Sequence, residues 1–483
     1  MSRINSNIPS LAAQRSLSVS QRALQLSLER LSSGLKINRG ADNPAGLIVS
    51  ERLRSEISTA GQAINNTQRA INVIATREGA LNEVAALLTD IQALVVEAAN
   101  SGAFSDEEIA ANQLQIDASI DSISRIANTT NFAGRKLING SLDYVTSSID
   151  DAQLADVRVL GAKFGSRDFI PVRVDVSQSA QQAQLSYPLP GVTGSGVTID
   201  IGGLEGIITL SFPASAATND MVAAINAQTD ATGIIAVASG VNGSAGLRIL
   251  SERYGSNAFV SVETFGNSGP FQVIDRNGGT VNRTAGTDAE ATINGVSTVS
   301  DGLALKVSDS FLSVEVTLSE AFGGGSTGLG ASDFTINEGG ALFQLGPQVN
   351  TNLQENIGVQ SVQANKLGNA LVGYLADLKS GQRYSLSTGN FREASQVVQE
   401  AIDQVSVVRG RLGAFERDTL RPNVAQLQIT IENLTSSQSV IRDTDFAEET
   451  SELTRAQILV QAGNSILAIA NAQSQNVLSL LGG

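Results

Sequence analysis

Acidic side chains are the most numerous reactive groups in this sequence, with 47 Asp and Glu against 32 Lys and Arg. Pairs such as Glu205/Asp220 or Glu252/Glu263 offer the two carboxyls that glycoside hydrolysis needs, one as acid and one as nucleophile or base. Nothing in their spacing adds to that, and exposed carboxylates on an acidic surface are the plainer reading. "GGGSTG", Gly323 to Gly328, matches GxGxxG after a strand-like run, but no helical pattern follows to present its N-terminus to a pyrophosphate. GxxxxGK[ST] is absent, so a P-loop has no support. "SID" with Asp150-Asp151 is too short for an EF-hand loop. Asn282-Arg283-Thr284 and Asn433-Leu434-Thr435 match the N-glycosylation pattern, which counts for little without a secretory signal. Histidine and cysteine are both absent. That removes Ser-His-Asp catalysis, His-ligated zinc, thiolate metal sites and disulfides. The expectation is a protein that is not an enzyme and carries no cofactor or metal.

A net charge of −15 argues against a nucleic-acid partner, which would want a basic surface. No apolar run approaches the ~18 residues of a bilayer span, so membrane insertion is not expected. The N-terminal "MSRINSNIPSLAAQRS" lacks the basic-then-apolar order of a secretory signal. By these rules the protein stays in the cytosol or leaves the cell by another route.

The information lies instead in the elements. The 483 residues allow two to four domains, and three textures divide them. Residues 1 to about 139 and about 352 to 481 are helical in pattern. Between them, short β-branched runs are punctuated by glycine, and 26 of the 46 glycines fall between Gly191 and Gly346. That is the distribution of a turn-rich sheet region. "GVTIDIGGLEGIITLSF" reads as two strands, Thr218 to Asp230 as a short capped helix, and "EATINGVSTV", "FLSVEVTLS" and "ASDFTIN" as a second set of strands. Together they make an α+β insertion, attached through "LADVRVLG" and "FIPVRVDV".

The helical zones repeat every seven residues. Leu453, Ala456, Val460, Gly463, Leu467, Ala470, Ser474, Val477 and Leu481 alternate spacings of three and four, a heptad seam. Val398, Ala401, Val405, Val408, Leu412 and Phe415 do the same. Ile57, Ala60, Ile64, Ile71, Ile74, Leu81, Ala85, Leu88 and Val95 hold that frame upstream, with Thr67, Glu78 and Gln92 as polar interruptions. Leu24, Leu28, Leu31 and Leu35 fall at helical spacing near the N-terminus. Ser105 and Glu108 form a capping-box pair opening a helix along Ile109, Ile116, Ile120 and Ile123. Seams this narrow suit helix-on-helix packing and are marginal alone. A monomeric bundle explains the inner seams. The final seam, ~42 Å of helix at 1.5 Å per residue, exceeds its N-terminal counterpart, so self-assembly is the preferred reading. Between this helical pattern and the one that begins at Ala45 lie Gly34, Gly40 and Asn43-Pro44, which read as a linker with Pro44 opening the next helix.

The two ends resemble bacterial flagellin. "SLAAQRSLSVSQRALQLSLERLSSGLKINRGADNPAGLIVSERLRSEI" (Ser10 to Ile57) is similar to that family's N-terminal segment, and "IRDTDFAEETSELTRAQILVQAGNSILAIANAQSQNVLSLLGG" (Ile441 to Gly483) to its C-terminal segment. "LVVEAANSG", "RIANTTNFAGRKLING" and "VVRGRLGAFERDTL" resemble its rod segments, so the likeness covers roughly 1–175 and 350–483. "TINGV" and "MVAAINAQTDATGIIAVAS" resemble a motif of flagellin and hook-protein insertions more faintly.

The resemblance implies a mainly α fold with a long coiled coil of paired N- and C-terminal segments, a β-hairpin and an inserted α+β outer domain. Residues 1–43 and 446–483 would form the inner coiled-coil domain that lines a filament channel. Residues 44–175 and 350–445 would form a helical rod, and 176–349 a variable outer insertion. Leu24, Leu28, Leu31, Leu35, Leu453, Val460, Leu467, Val477 and Leu481 would carry inner assembly. Ile64, Ile71, Leu81, Leu88, Val405 and Leu412 would carry the rod seam, and Gly34, Gly40 and Pro44 a spoke between the two layers. The implied function is a structural subunit polymerising into the filament that drives swimming. It would be exported unfolded by the flagellar type III apparatus to an extracellular site. Its partners would be further copies of itself, an export chaperone on the C-terminal helix, and the filament cap and hook-associated proteins. A hook–filament junction protein is the alternative within this design, and "LERLSSGLKIN" and "SELTRAQILVQAG" favour the filament subunit. Members recognised by the innate immune receptor for flagellin present Arg, Leu and Glu on the rod. Here those positions are Asp90, Leu94 and Gln115, which implies weak or absent activation.

Overall fold

A computed structural model describes residues 7–100, 102–165, 167–192, 195–238, 246–265, 271–309, 311–325 and 329–481, with side chains described up to residue 472. Nine helices are placed among the described residues. These are α1 (Ile8–Ser33), α2 (Pro44–Ala99), α3 (Asp106–Thr129), α4 (Thr218–Asn226), α5 (Thr229–Thr232), α6 (Glu320–Gly323), α7 (Phe391–Phe415), α8 (Arg421–Arg442) and α9 (Phe446–Leu481). A π-helical turn, Glu416–Leu420, joins α7 to α8. The chain forms two compact units: residues 1–68, 345–349 and 420–483 in one, residues 69–344 and 350–419 in the other.

The first unit is helical and built from the chain's two ends. α1 and α9 run antiparallel, because Asn7 reaches Ala470 while Arg30 reaches Glu449. The start of α2 and α8 are likewise antiparallel: Arg442 pairs with Glu51 at 2.8 Å, and Ala60 and Ala63 pack with Leu427, Ile64 and Ile431. Asn423 donates to the Thr67 hydroxyl and to the Leu345 carbonyl, tying the short 345–349 segment to this pair. Alanines here let the helix axes approach closely, as ridges fitting grooves require.

In the second unit the rest of α2 meets α7. Gln92 Nε2 donates to Ser395 Oγ at 2.8 Å between α2 and α7. Ile116, Ile120 and Ile123 of α3 are fully buried. The capping box is present at its start, with Ser105 Oγ accepting from Glu108 N and Glu108 Oε2 accepting from Ser105 N. A two-residue ladder, Asn131–Phe132 with Arg135–Lys136, makes a small β-hairpin after α3. Gln113 is held on both sides, donating to Leu378 O and accepting from Leu386 N.

The packed row of α2 alternates spacings of three and four through Ala60, Ala63, Thr67, Ala70, Ile74, Arg77, Leu81, Val84, Leu88, Ile91, Val95 and Ala98, all buried. Every seventh residue from Ala60 agrees with the expected frame. The intervening position falls three residues on, not four, so Ile64 and Ile71 flank the row half-buried while Ala63 and Ala70 occupy it. Small residues hold the buried positions there. α2 also contains an 18-residue window of mean hydropathy 1.4, long and apolar enough by those measures to cross a membrane. The expectation that no stretch approaches this is corrected. Its Ala, Val and Leu content serves the packed row.

The glycine-rich region has two cores, one nested within the other. The outer pieces, 144–180 and 287–339, fold into two antiparallel sheets. One orders Val296–Ser297, Glu290–Ile293, Ile170–Gln178, Gly330–Gly339 and Tyr144–Ser147; the other orders Val299–Asp301, Ala304–Ser308, Leu312–Leu318 and Leu154–Ala162. Alternate residues face a shared core of Val172, Val174, Val314, Val316, Phe334 and Ile336. Residues 182–285 make a second core, a four-stranded and a three-stranded sheet joined by Ile199, Ile249, Val260 and Met221 of α4. The expected boundary at 175/176 therefore falls inside strand Ile170–Gln178, and Tyr144–Ser147 belongs to the same sheet. The expected boundary at 349/350 is also displaced, because Ala341–Gln344 pairs with Gln354–Ile357. The helix at Thr218 ends at Asn226 and lacks the side-chain cap expected of it, since Ala217 occupies the cap position.

One arginine links the nested core to α7. In the first turn of α7, Arg392 meets Asp230 at 3.1 Å, Glu252 at 3.0 Å and Glu393 at 2.9 Å. Hydrogen bonding to Glu252 and the surrounding carboxylates hold its guanidinium more firmly protonated than usual. Arg392→Met is expected to speed amide exchange in residues 230–252 more than in residues 397–412, as is raising salt. Equal acceleration in both segments would contradict this link.

Candidate assembly interface

The pairing of α1 with α9 has an inner face of small residues. Ser10, Ala13 and Ser27 are buried on α1, Ala456 and Ala470 on α9, and Leu17, Leu24 and Leu31 are half-buried between them. Asn7 Nδ2 donates to Ala470 O at 3.0 Å and Ser10 Oγ to Asn471 Oδ1 at 2.9 Å, so the polar seam residues have partners. Gly463 lies against Leu17, whose Cδ1 is 3.1 Å from where a Cβ would stand. Deeper along the pair, Arg30 meets the buried Glu449 at 3.5 Å. Of the seam expected on α9, Leu453, Val460 and Leu467 are half-buried at the side of these contacts. Val477 and Leu481 lie outside the residues whose side chains are described. On α1, Leu28 departs from the expected row: it is 49% exposed, and Ser27 takes the packed position.

A second apolar face of the same helices has no partner among the described residues. Ile8, Leu11 and Val19 on α1 and Ile458, Leu459, Ile466 and Ile469 on α9 are all exposed, Ile469 by 67%. Apolar exposure on this scale marks a surface that binds something. Burying one such Ile or Leu contributes roughly 1.5–3 kcal/mol.

The loop between α1 and α2 is short but highly bonded. Gly34 ends α1 in the left-handed region at φ 71°. Its carbonyl accepts from Thr444 N at 3.0 Å, and Lys36 N donates to Arg442 O at 2.7 Å, so the loop pairs with the turn between α8 and α9. Leu35 is half-buried there, opposite Asp443, and Ile37 is buried. Asp42 Oδ2 accepts from Arg39 N at 2.8 Å and Asn38 N at 3.0 Å. The bond from Arg39 N chiefly holds the Asp42 carboxyl below its ordinary value. Asn43 Oδ1 accepts from Gly46 N at 2.9 Å and caps α2, which opens at Pro44. An open hollow of about 440 Å³ lies beside the loop, lined by Lys36, Ile37, Asp42, Gly46 and Val49 among others.

Two glycines here have physical reasons and one does not. Gly34 needs its positive φ. Gly46, not singled out by sequence, would bring a Cβ to 2.7 Å from Ile37 Cδ1 and 2.8 Å from the Asn43 amide. Gly40, expected to permit a change of direction, has an ordinary φ and meets only Leu47 at 3.7 Å. Its place in the expected set is corrected.

The remaining expected positions lie in the second unit. Leu81 and Leu88 are fully buried on α2, and Val405 and Leu412 are buried on α7. Asp90 and Gln115 are exposed on α2 and α3, and Leu94 is half-buried. Among the described residues no group of three or more Asp and Glu could hold a metal ion. Glu252, weighed above as a catalytic carboxylate, is committed to Arg392.

Comparison with known proteins places this geometry. The family description "Bacterial flagellin N-terminal helical region" matches residues 4–143, and "Bacterial flagellin C-terminal helical region" matches residues 395–481. The chain is similar to a flagellin of Salmonella rubislaw, 29% identical over 505 residues and 99% of each chain. It is similar to flagellin D of Vibrio anguillarum, 28% identical over 489 residues and again 99% of each. The solved FliC of Burkholderia pseudomallei aligns with 72% of this chain and 99% of its own at 15% identity and a TM-score of 0.24, a likeness too slight to carry weight.

Gly34→Ala is expected to cost about 1 kcal/mol from its backbone, Gly46→Ala more, and Gly40→Ala close to nothing, read as thermal midpoints. A Gly40→Ala loss equal to that of Gly34→Ala would contradict the loop geometry. Because the Asp42 carboxyl is lowered, its stabilising bonds are intact above its unfolded value near 4 and are lost as pH falls through the lower folded value. Amide protection at Asn38 and Arg39, taken relative to intrinsic exchange rates, should therefore be lost as pH falls below about 4, and should already be lost in Asp42→Ala at neutral pH.

Proposed function

We infer, for a chain that belongs to the bacterial flagellins, that it acts by polymerising into the flagellar filament outside the cell, its two ends supplying the contacts. The observation that carries this mechanism is the bare apolar face of α1 and α9, which remains after those helices have satisfied each other. Pairing one face within the chain leaves the other for further copies. A contact between two different patches on identical subunits repeats without closing, and a fibre results.

On this reading α1 and α9 form the coiled coil of the inner layer, with Leu24, Leu31, Leu453, Val460 and Leu467 along its seam. Leu28 faces a neighbouring subunit. The bonded loop from Gly34 to Pro44 is the spoke between layers, and the hollow beside it receives part of another copy. Leu81, Leu88, Val405 and Leu412 hold the rod. The nested insertion projects outward. The protein is structural and does no catalysis. Before assembly the chain passes unfolded through the flagellar type III apparatus, and a chain without cysteine has nothing to cross-link on the way. An export chaperone covers the bare face of α9 until then. The filament cap guides subunits into place, and hook-associated proteins join the filament base through the same helical ends. Asp90 and Gln115 leave the rod a poor match for the innate immune receptor.

Seeding purified monomer and imaging the product by electron microscopy tests the mechanism. Wild type should form filaments; Ile466→Asn with Ile469→Asn should keep the monomer's helix content and form none, as should a chain ending before Leu467. Filaments from the doubly substituted chain would remove α9's outer face from the assembly contact.

A further inference from the structure

Arg77 stands in the packed row of α2 between Ile74 and Leu81, and all three are fully buried. Its Nε, Nη1 and Nη2 atoms are all buried without a hydrogen-bond partner among the described residues. Two half-buried arginines of this unit do have partners, whereas Arg409 also leaves its buried Nε unpaired. Arg158 pairs with Asp156 at 2.8 Å and donates to Gly368 O, and Arg392 meets three carboxylates. No ion pair to Arg77 is present among the described residues. Burial, followed by the positive charge of Arg135, pushes its guanidinium down to about 10. Arg135 is exposed on the small hairpin after α3.

A buried guanidinium presents five N–H donors in a planar fork and no acceptor. Water can bond to those donors but cannot offset their charge, and an uncompensated buried charge is strongly destabilising. Two guanidiniums bearing on one another make the deficit larger. What the buried Arg77 lacks is an acceptor that carries negative charge, and none is present among the described residues. We propose that Arg77 and Arg135 bind a small inorganic anion, with Arg77 forming the floor of the site and Arg135 its solvent-side cover. The anion would fix the hairpin against α2. This site is independent of the contacts by which the chain polymerises.

The test uses the full-length monomer at constant ionic strength, with sodium gluconate exchanged stepwise for sodium chloride or sodium sulfate. The wild-type thermal midpoint should rise saturably, by about 2–4 °C. The anion that saturates at the lower concentration identifies the natural type. Arg77→Met should be at least as stable as wild type in gluconate and should lose the increment. Arg135→Gln, an exposed change that leaves the packed row intact, should raise the half-saturating concentration about threefold or more. Chloride-35 line broadening should be present with wild type and absent with Arg77→Met. An equal increment in all three proteins would mean an adventitious ion only and would overturn the proposal, as would a wild type with no saturable response. If Arg77→Met fails to fold, Arg135→Gln decides: an unchanged half-saturating concentration overturns the site.

Discussion

Antiparallel pairing of residues 7–36 with residues 442–471 is the contact on which the first unit depends. It joins positions more than 400 apart in the chain, as in the bond from Asn7 to Ala470 with a separation of 463. Closing so long a loop costs entropy that grows only as the logarithm of its length, and the contact must offset it. The contact meets this demand with area instead of bulk: serine, alanine and glycine allow the backbones to run close, and the leucines flank them. The sheet cores that lie between these residues in sequence are built from their own apolar side chains.

The consequence for the middle of the chain is a nested design. An outer core formed by 144–180 and 289–336 surrounds, in sequence, an inner core formed by 183–273. Each is an antiparallel sheet assembly able to bury its own apolar residues, so neither relies on the terminal helices for a core. Arg392 adds a specific tether between the inner core and α7, made of charges that remain partly solvated and that salt can weaken. On the proposed reading this separates two duties, a helical part that matches other copies and a sheet part that need only be stable.

Much of the helical architecture was legible because its period is strong. Every seventh residue from Ala60 to Val95, the α7 row through Val405 and Leu412, and the Ser105–Glu108 cap all follow from local pattern. The choice between the third and the fourth residue was not legible. Apolarity favoured Ile64 and Ile71, whereas close helix approach selects Ala63 and Ala70. The same physics hid Ser10, which looks like a surface residue until its partner Asn471 on α9 is known, and Ser27, which is buried. Gly46 could not be distinguished from Gly40 by type, since only the position of Ile37 separates them. Arg392 and Glu252 are 140 residues apart, and Arg77 reads as an ordinary surface cation in a helix. Such features depend on three-dimensional neighbours that no local pattern encodes.

A single direct measurement addresses the claim that α9 has one face satisfied within the chain and another reserved for other copies. The absence of cysteine allows single-site thiol labelling without background. Labelling at Ile466→Cys should be fast in the monomer and strongly slowed in the filament, while labelling at Ala456→Cys should be slow in both. Equal rates for Ile466→Cys in monomer and filament would contradict the account.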